Sequence, residues 1–177
     1  MVDELVEAVE RARDAVIEAV AHLRPDQATF KASADEWSIT ENVEHLYLAE
    51  LSGLAKIWSA ALDVRSGAVW TGPRPNDGKS IEQVVSTTWK TQEVAPEIAT
   101  PHIGGPLAAW VSSLCSLRLV LADLAKELDG LDLEAIVYPH FLSGPLDARQ
   151  RLEFLRFHME RHLGQIRRVL SNPAFPK

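Results

Sequence analysis

A chain of 177 residues can bury a core without disulfides or other staples, and 46% hydrophobic with 24% charged residues is ordinary for a globular domain, so neither disorder nor a membrane class is suggested. A formal charge of −7 argues against a nucleic-acid face, because a phosphate backbone has to be met by clustered Lys and Arg. The single cysteine, Cys115, excludes an internal disulfide and agrees with a reducing compartment.

One domain over residues 1–177 is expected. The opening MVDELVEAVERARD is acidic and amphipathic from its third residue, unlike a signal or transit peptide, and no window collects the roughly 18 apolar residues of a membrane span. A cytoplasmic protein with no membrane partner is therefore expected. Residues 3–23 place Leu5, Val9, Ala12, Val16, Val20 and Leu23 at steps of three and four, which predicts an amphipathic helix ending before Pro25. His22 falls in its last turn, where an imidazolium complements the helix dipole.

A second helix is predicted from Ser38 to about Leu62. Ser38 can cap the free N–H of Glu41, whose carboxylate can reach back to the Ser38 N–H. This helix turns Val43, Leu46, Leu54, Ile57, Trp58 and Ala61 toward a core and carries His45 two turns from its start. Residues 63–79, with three Gly, two Pro and an Asn-Asp-Gly turn, read as a long irregular connection. Neighbouring antiparallel helices are usually joined by short loops, so this length implies a crossover between bundle ends or a loop over a pocket. Ser80-Ile81-Glu82-Gln83 starts a short helix through about Lys90, and Pro96, Pro101 and Gly104-Gly105-Pro106 break up the stretch after it.

Leu107, Trp110, Leu114, Leu117, Leu121, Leu124 and Leu128 predict a third long helix stopped by Gly130. Cys115, one residue off that seam, reads as a small packed side chain rather than a nucleophile. PHFLSGP, Pro139 to Pro145, is a turn-rich lead-in to a fourth helix over about Leu146 to Leu170, whose apolar face holds Leu152, Leu155, Met159, Ile166 and Val169. Its arginines, Arg149, Arg151, Arg156, Arg161, Arg167 and Arg168, read as a solvated helix face.

His158 and His162 stand four residues apart on that helix, on or beside its apolar face, with side chains about 6 Å apart at Cβ. Two part-buried imidazoles without a carboxylate beside them are poorly satisfied, and one metal ion would satisfy both. The third ligand has to come from elsewhere, and His45 is the candidate. HMERH is not a zincin HExxH: Glu160 is two residues from His158, about 200° around the helix, and reads as solvent-facing, as do Arg161 and Arg168.

EWSITENVEHLYLAE, Glu36 to Glu50, and PHFLSGPLDARQRLEFLRFHMERHLGQIRRVL, Pro139 to Leu170, resemble the two signature regions of the DinB/YfiT-like superfamily. The first carries Trp-Ser followed by a Glu-flanked His-Leu; the second carries Gly-x-Leu, Phe and His-x-x-x-His-x-x-Gln-Ile. The resemblance covers nearly the whole chain. It implies an all-α, up-down-down-up four-helix bundle with a long crossover between the second and third helices, and a divalent metal on His45, His158 and His162. It also implies a metal-dependent enzyme, either a low-molecular-weight thiol S-transferase or a hydrolase acting on a small electrophile. A metal-binding bundle that binds a small molecule or a protein partner without turnover is the competing reading.

Imidazole ligands suit zinc, nickel, iron and copper, and zinc or nickel is expected. Gln165 could orient a ligand or bound water and reads equally well as a packing or surface residue, and Glu41 could accept the second N–H of His45 in competition with the capping box. Tyr47, Trp70, His102 and His140 could line a pocket, although each reads more readily as plain surface or core. Bundles of this kind commonly pair through helix faces, so a homodimer is a candidate assembly that no single residue decides.

Overall fold

The apolar stripes of the sequence become four long helices in a computed structural model that describes residues 2–89 and 94–177. In chain order the elements are α1 (Val2–Val20), α2 (Pro25–Ala28), α3 (Ile39–Arg65), α4 (Ile81–Thr88), a 3₁₀ turn (Glu97–Ala99), α5 (Leu107–Leu128), β1 (Val137–His140), β2 (Gly144–Asp147) and α6 (Ala148–Leu170). The bundle is formed by α1, α3, α5 and α6.

Individual contacts fix the direction of each helix. Tyr47 near the start of α3 meets Trp110 near the start of α5, with ring centroids 5.8 Å apart. Arg65 at the end of α3 pairs with Glu127 at the end of α5 at 2.5 Å. Those two helices therefore run parallel, and the connection between them has to cross the length of the bundle. His45 lies against His158 and His162, whereas Gly53, two turns later, lies against Leu155, so α3 and α6 are antiparallel. Arg24 and Gln27, just past α1, bond the Lys177 and Pro176 carbonyls beyond α6, which makes α1 and α6 parallel. The result is the expected up-down-down-up bundle.

Leu114, Leu117, Leu121, Leu124 and Leu128 of α5 meet Val9 and Val16 of α1, Leu46, Leu54 and Ile57 of α3, and Leu152, Leu155 and Ile166 of α6 in one core. Arg13 is fully buried inside it, paired with the buried Glu50 of α3 and with Glu10. Burial pushes the Glu50 carboxyl up to about 7, against the pull of Arg13. The 22 residues of α5 are, by length and composition, apolar enough to cross a membrane, contrary to the expectation that no segment is; its leucine seam faces the bundle core.

The connection between α3 and α4 is shorter than expected, because α3 continues to Arg65. The short helix ends at Thr88, while its expected terminus at Lys90 lies outside the described residues. The turn-rich lead-in before α6 is an antiparallel hairpin, a pairing that the expectation of a turn did not include. The two prolines pair with each other across the ladder, so neither sits opposite a residue that needs its missing N–H. Gly144, at φ +70°, supplies the left-handed turn residue. The His140 Nδ1 accepts the turn N–H groups of Leu142 (3.3 Å) and Ser143 (3.1 Å). Asn76 of the crossover donates to the Ser143 (2.8 Å) and Pro145 (3.0 Å) carbonyls, anchoring the connection on the hairpin.

Candidate metal centre

Two capped helix starts set the register of the site. Ser38 accepts the Glu41 N–H at 3.2 Å, and Glu41 accepts the Ser38 N–H at 2.7 Å, which places His45 on the inner face of α3. Glu41 also meets Lys31 at 2.9 Å, so its carboxylate is engaged by the cap and is not the partner of His45. Asp147 and Gln150 form the equivalent box at the start of α6. From there His158 and His162 follow on one face, and all three histidines are buried.

The three rings converge. The ring centroids lie 4.9, 4.5 and 4.6 Å apart, and one nitrogen from each ring falls within 4.8 Å of the other two. The His45 and His158 Nε2 atoms are 3.1 Å apart. A tetrahedral ion with bonds of about 2.0–2.1 Å sets its ligand nitrogens about 3.3–3.4 Å apart, so this pair already has coordination spacing.

Outer partners assign the tautomers. His45 Nδ1–H donates to the Ala99 carbonyl at 2.7 Å, leaving a lone pair on Nε2. His162 Nδ1–H donates to the Asn42 Oδ1 at 3.0 Å, with the same consequence. The Asn42 amide is held in that orientation because its Nδ2 donates to the Ser38 (2.9 Å) and Trp37 (3.4 Å) carbonyls. His158 is oriented by stacking on Phe154, 5.4 Å between centroids. The 3₁₀ turn carrying Ala99 is followed by a loop pinned to α3: the buried Glu44 carboxylate accepts the N–H groups of His102 (2.7 Å), Ile103 (2.7 Å) and Gly104 (3.1 Å).

Burial lowers the pKa of all three histidines, that of His158 and His162 well below the ordinary value. Their mutual repulsion adds to the effect on His158 and His162. The rings are thus neutral at neutral pH, and His45 and His162 each keep an Nε2 lone pair toward the centre, where a proton is disfavoured. This donor set fits a divalent cation, whose charge would satisfy every lone pair at once.

The histidines face a cavity of about 860 Å³, walled by Trp37, Trp89, Tyr138, His140, Phe154 and Gln165 among others. Gln165 also reaches the His162 ring, and His140 lines the cavity as one of the open alternatives. Tyr47 packs against Trp110, Trp70 folds back on Pro73, and His102 and His22 are exposed. Glu160 is exposed and paired with Arg156 at 2.6 Å, as expected. The arginines of α6 do not all form a solvated face. Arg151 is buried and lines the cavity, Arg161 is half-buried 5.5 Å over the Trp89 ring, and Arg168 is exposed at the cavity rim.

A four-helix up-down-down-up bundle with three histidines from α3 and α6 at a cavity defines a class of helical proteins fit to bind a metal. The chain matches the family model of the DinB superfamily over residues 8–166, and it belongs to that superfamily. No curated protein and no solved structure matches it.

Proposed function

We propose that this protein is a divalent-metal-dependent enzyme that brings a low-molecular-weight thiol or water to a small electrophilic substrate, with His45, His158 and His162 as the metal ligands. One observation carries this reading. Three neutral imidazoles meet at the wall of a substrate-sized cavity, and among the described residues no Cys, Asp or Glu joins them as a fourth ligand. Structural metal sites are closed by four protein ligands, whereas catalytic sites keep a position open. A bound divalent ion would hold its full charge on three neutral ligands and acidify a thiol or water in the open position. Zinc or nickel suits the donor set.

The protein's own groups hold the arrangement. Asn42 and the Ala99 carbonyl fix two rings, while Trp37 and Phe154 flank the histidines with aromatic surface that limits water. The test is elemental analysis of tag-free protein, followed by monochlorobimane consumption with a panel of thiols. Metal-dependent acceleration by one thiol is expected for a transferase. If no thiol accelerates the reaction, the transferase branch fails and ester hydrolysis is the next assay. Stoichiometric metal with neither activity would leave a metal-stabilised binding bundle.

A further inference from the structure

At the other end of the cavity, two turns before His158 on the same face of α6, the Arg151 guanidinium is enclosed with only 6% of the residue exposed. Among the described residues it makes one hydrogen bond, to the Pro139 carbonyl at 2.6 Å, and it lies 3.9 Å over the Tyr138 ring. Its Nε is buried without a partner, and so is the Tyr138 hydroxyl. No described carboxylate pairs with Arg151. A buried cation is normally paired and its N–H groups satisfied, so this one is incomplete as it stands.

Neighbouring groups extend the same pattern. The His140 Nδ1 accepts two backbone N–H groups, which puts its ring proton on Nε2 and makes a ring of the cavity wall a donor. Lys56 adds a positive charge at the exposed edge, and Asp35 and Glu36 are exposed on the rim. Burial holds His140 neutral down to about 3, with Arg151 and Lys56 also disfavouring its proton, and raises Tyr138 to about 12, so both keep the donor form across physiological pH. His140 and His158 flank Phe154, with centroids 4.8 and 5.4 Å from its ring, so one aromatic side chain separates this end from the histidine centre.

We propose that Arg151, Tyr138 and His140 form a carboxylate-binding subsite that holds the anionic end of the substrate while its reactive end reaches the three histidines. This rests on the reading of the cavity as a substrate site. One buried cation with two neutral donors matches a single negative charge, and the planar guanidinium matches a carboxylate edge. Arg151 and His158 are seven residues apart, on the order of 10 Å along the helix. The substrate class is therefore a small monocarboxylate whose electrophilic centre lies roughly that far from its acid group.

The probe is phenylacetate, compared with its neutral isostere phenylacetamide, titrated into metal-loaded protein by calorimetry. Phenylacetate should bind at least about ten-fold tighter than the amide, the size of one charge-assisted hydrogen-bonded pair. Arg151→Gln should remove that preference with the metal stoichiometry unchanged. Tyr138→Phe, which leaves the guanidinium in place, should weaken phenylacetate several-fold and leave the amide unaffected, and so tests the subsite even if Arg151→Gln fails to fold. Equal binding of acid and amide, or a preference that survives in both variants, overturns the subsite. A preference lost only in His158→Ala also overturns it, because the carboxylate would then be bound by the metal. If the protein holds no metal yet prefers the acid through Arg151, the subsite stands and the proposed enzyme function fails.

Discussion

Asn42 shows how a single residue can matter more than its type suggests. Its amide accepts the His162 N–H and donates to two carbonyls, so Asn42→Leu keeps the branched shape, though with more bulk, and removes the acceptor that sets the tautomer. Such outer partners are worth 10–100-fold in metal affinity, and zinc titration of Asn42→Leu should show a loss of about that size with the fold intact. His140 makes a second prediction at this scale. Its folded pKa of about 3 lies below the ordinary 6.5, so between those values unfolding takes up a proton, and stability falls as pH drops through that window. His140→Gln should flatten the dependence by up to about 1.4 kcal/mol per pH unit, measured as urea midpoints from pH 6.5 to 4. A slope identical to the parent protein's would show that His140 takes up its proton alike in the folded and unfolded chain. The His158/His162 pair was legible in sequence because helical spacing alone aligns it. Asn42 was not, because an asparagine just after a cap reads as part of that cap, although its place three residues before His45 was a usable signal.

Among the elements, α3 bears the most structural responsibility, since it carries His45, Asn42 and Glu44. Its start was readable from Ser38 and Glu41, and Ser38→Ala should cost about 1 kcal/mol in a denaturation experiment. The loop it holds was not readable. Glu44 is a glutamate on a helix of ordinary composition, and nothing in sequence says that it turns inward to three backbone N–H groups some sixty residues away. Glu44→Gln weakens that acceptor, and amide exchange at His102, Ile103 and Gly104 should speed up. Metal affinity should fall with it, because the Ala99 carbonyl lies just before the same loop. Unchanged exchange at those amides would mean that the loop is held by other contacts. The hairpin before α6 escaped for a related reason: its stability lies in long-range bonds from Asn76 and in a side chain closing its own turn, neither of which has a local pattern.

In the whole molecule, the long helices were legible from their apolar stripes, whereas their up-down-down-up directions came from the family resemblance, because the length of the 63–79 connection alone fits a crossover or a loop over a pocket. The Arg13–Glu50 pair in the bundle core was not legible, because both residues sit in helices whose other charges, Glu44 apart, lie at least partly in water. Arg13→Met should destabilise the bundle by about 3–5 kcal/mol by leaving Glu50 buried alone, while adding Glu50→Leu should restore the parent urea midpoint or exceed it. A double variant as weak as the single one would mean that the pair contributes net stability. The proposed chemistry depends on three rings from two antiparallel helices sharing one cation. The most direct measurement is zinc titration of chelator-stripped, tag-free protein beside His45→Ala and His158→Ala. One ion per chain in the parent protein and none in either variant is expected; the same stoichiometry in all three would place the metal elsewhere and contradict the assignment.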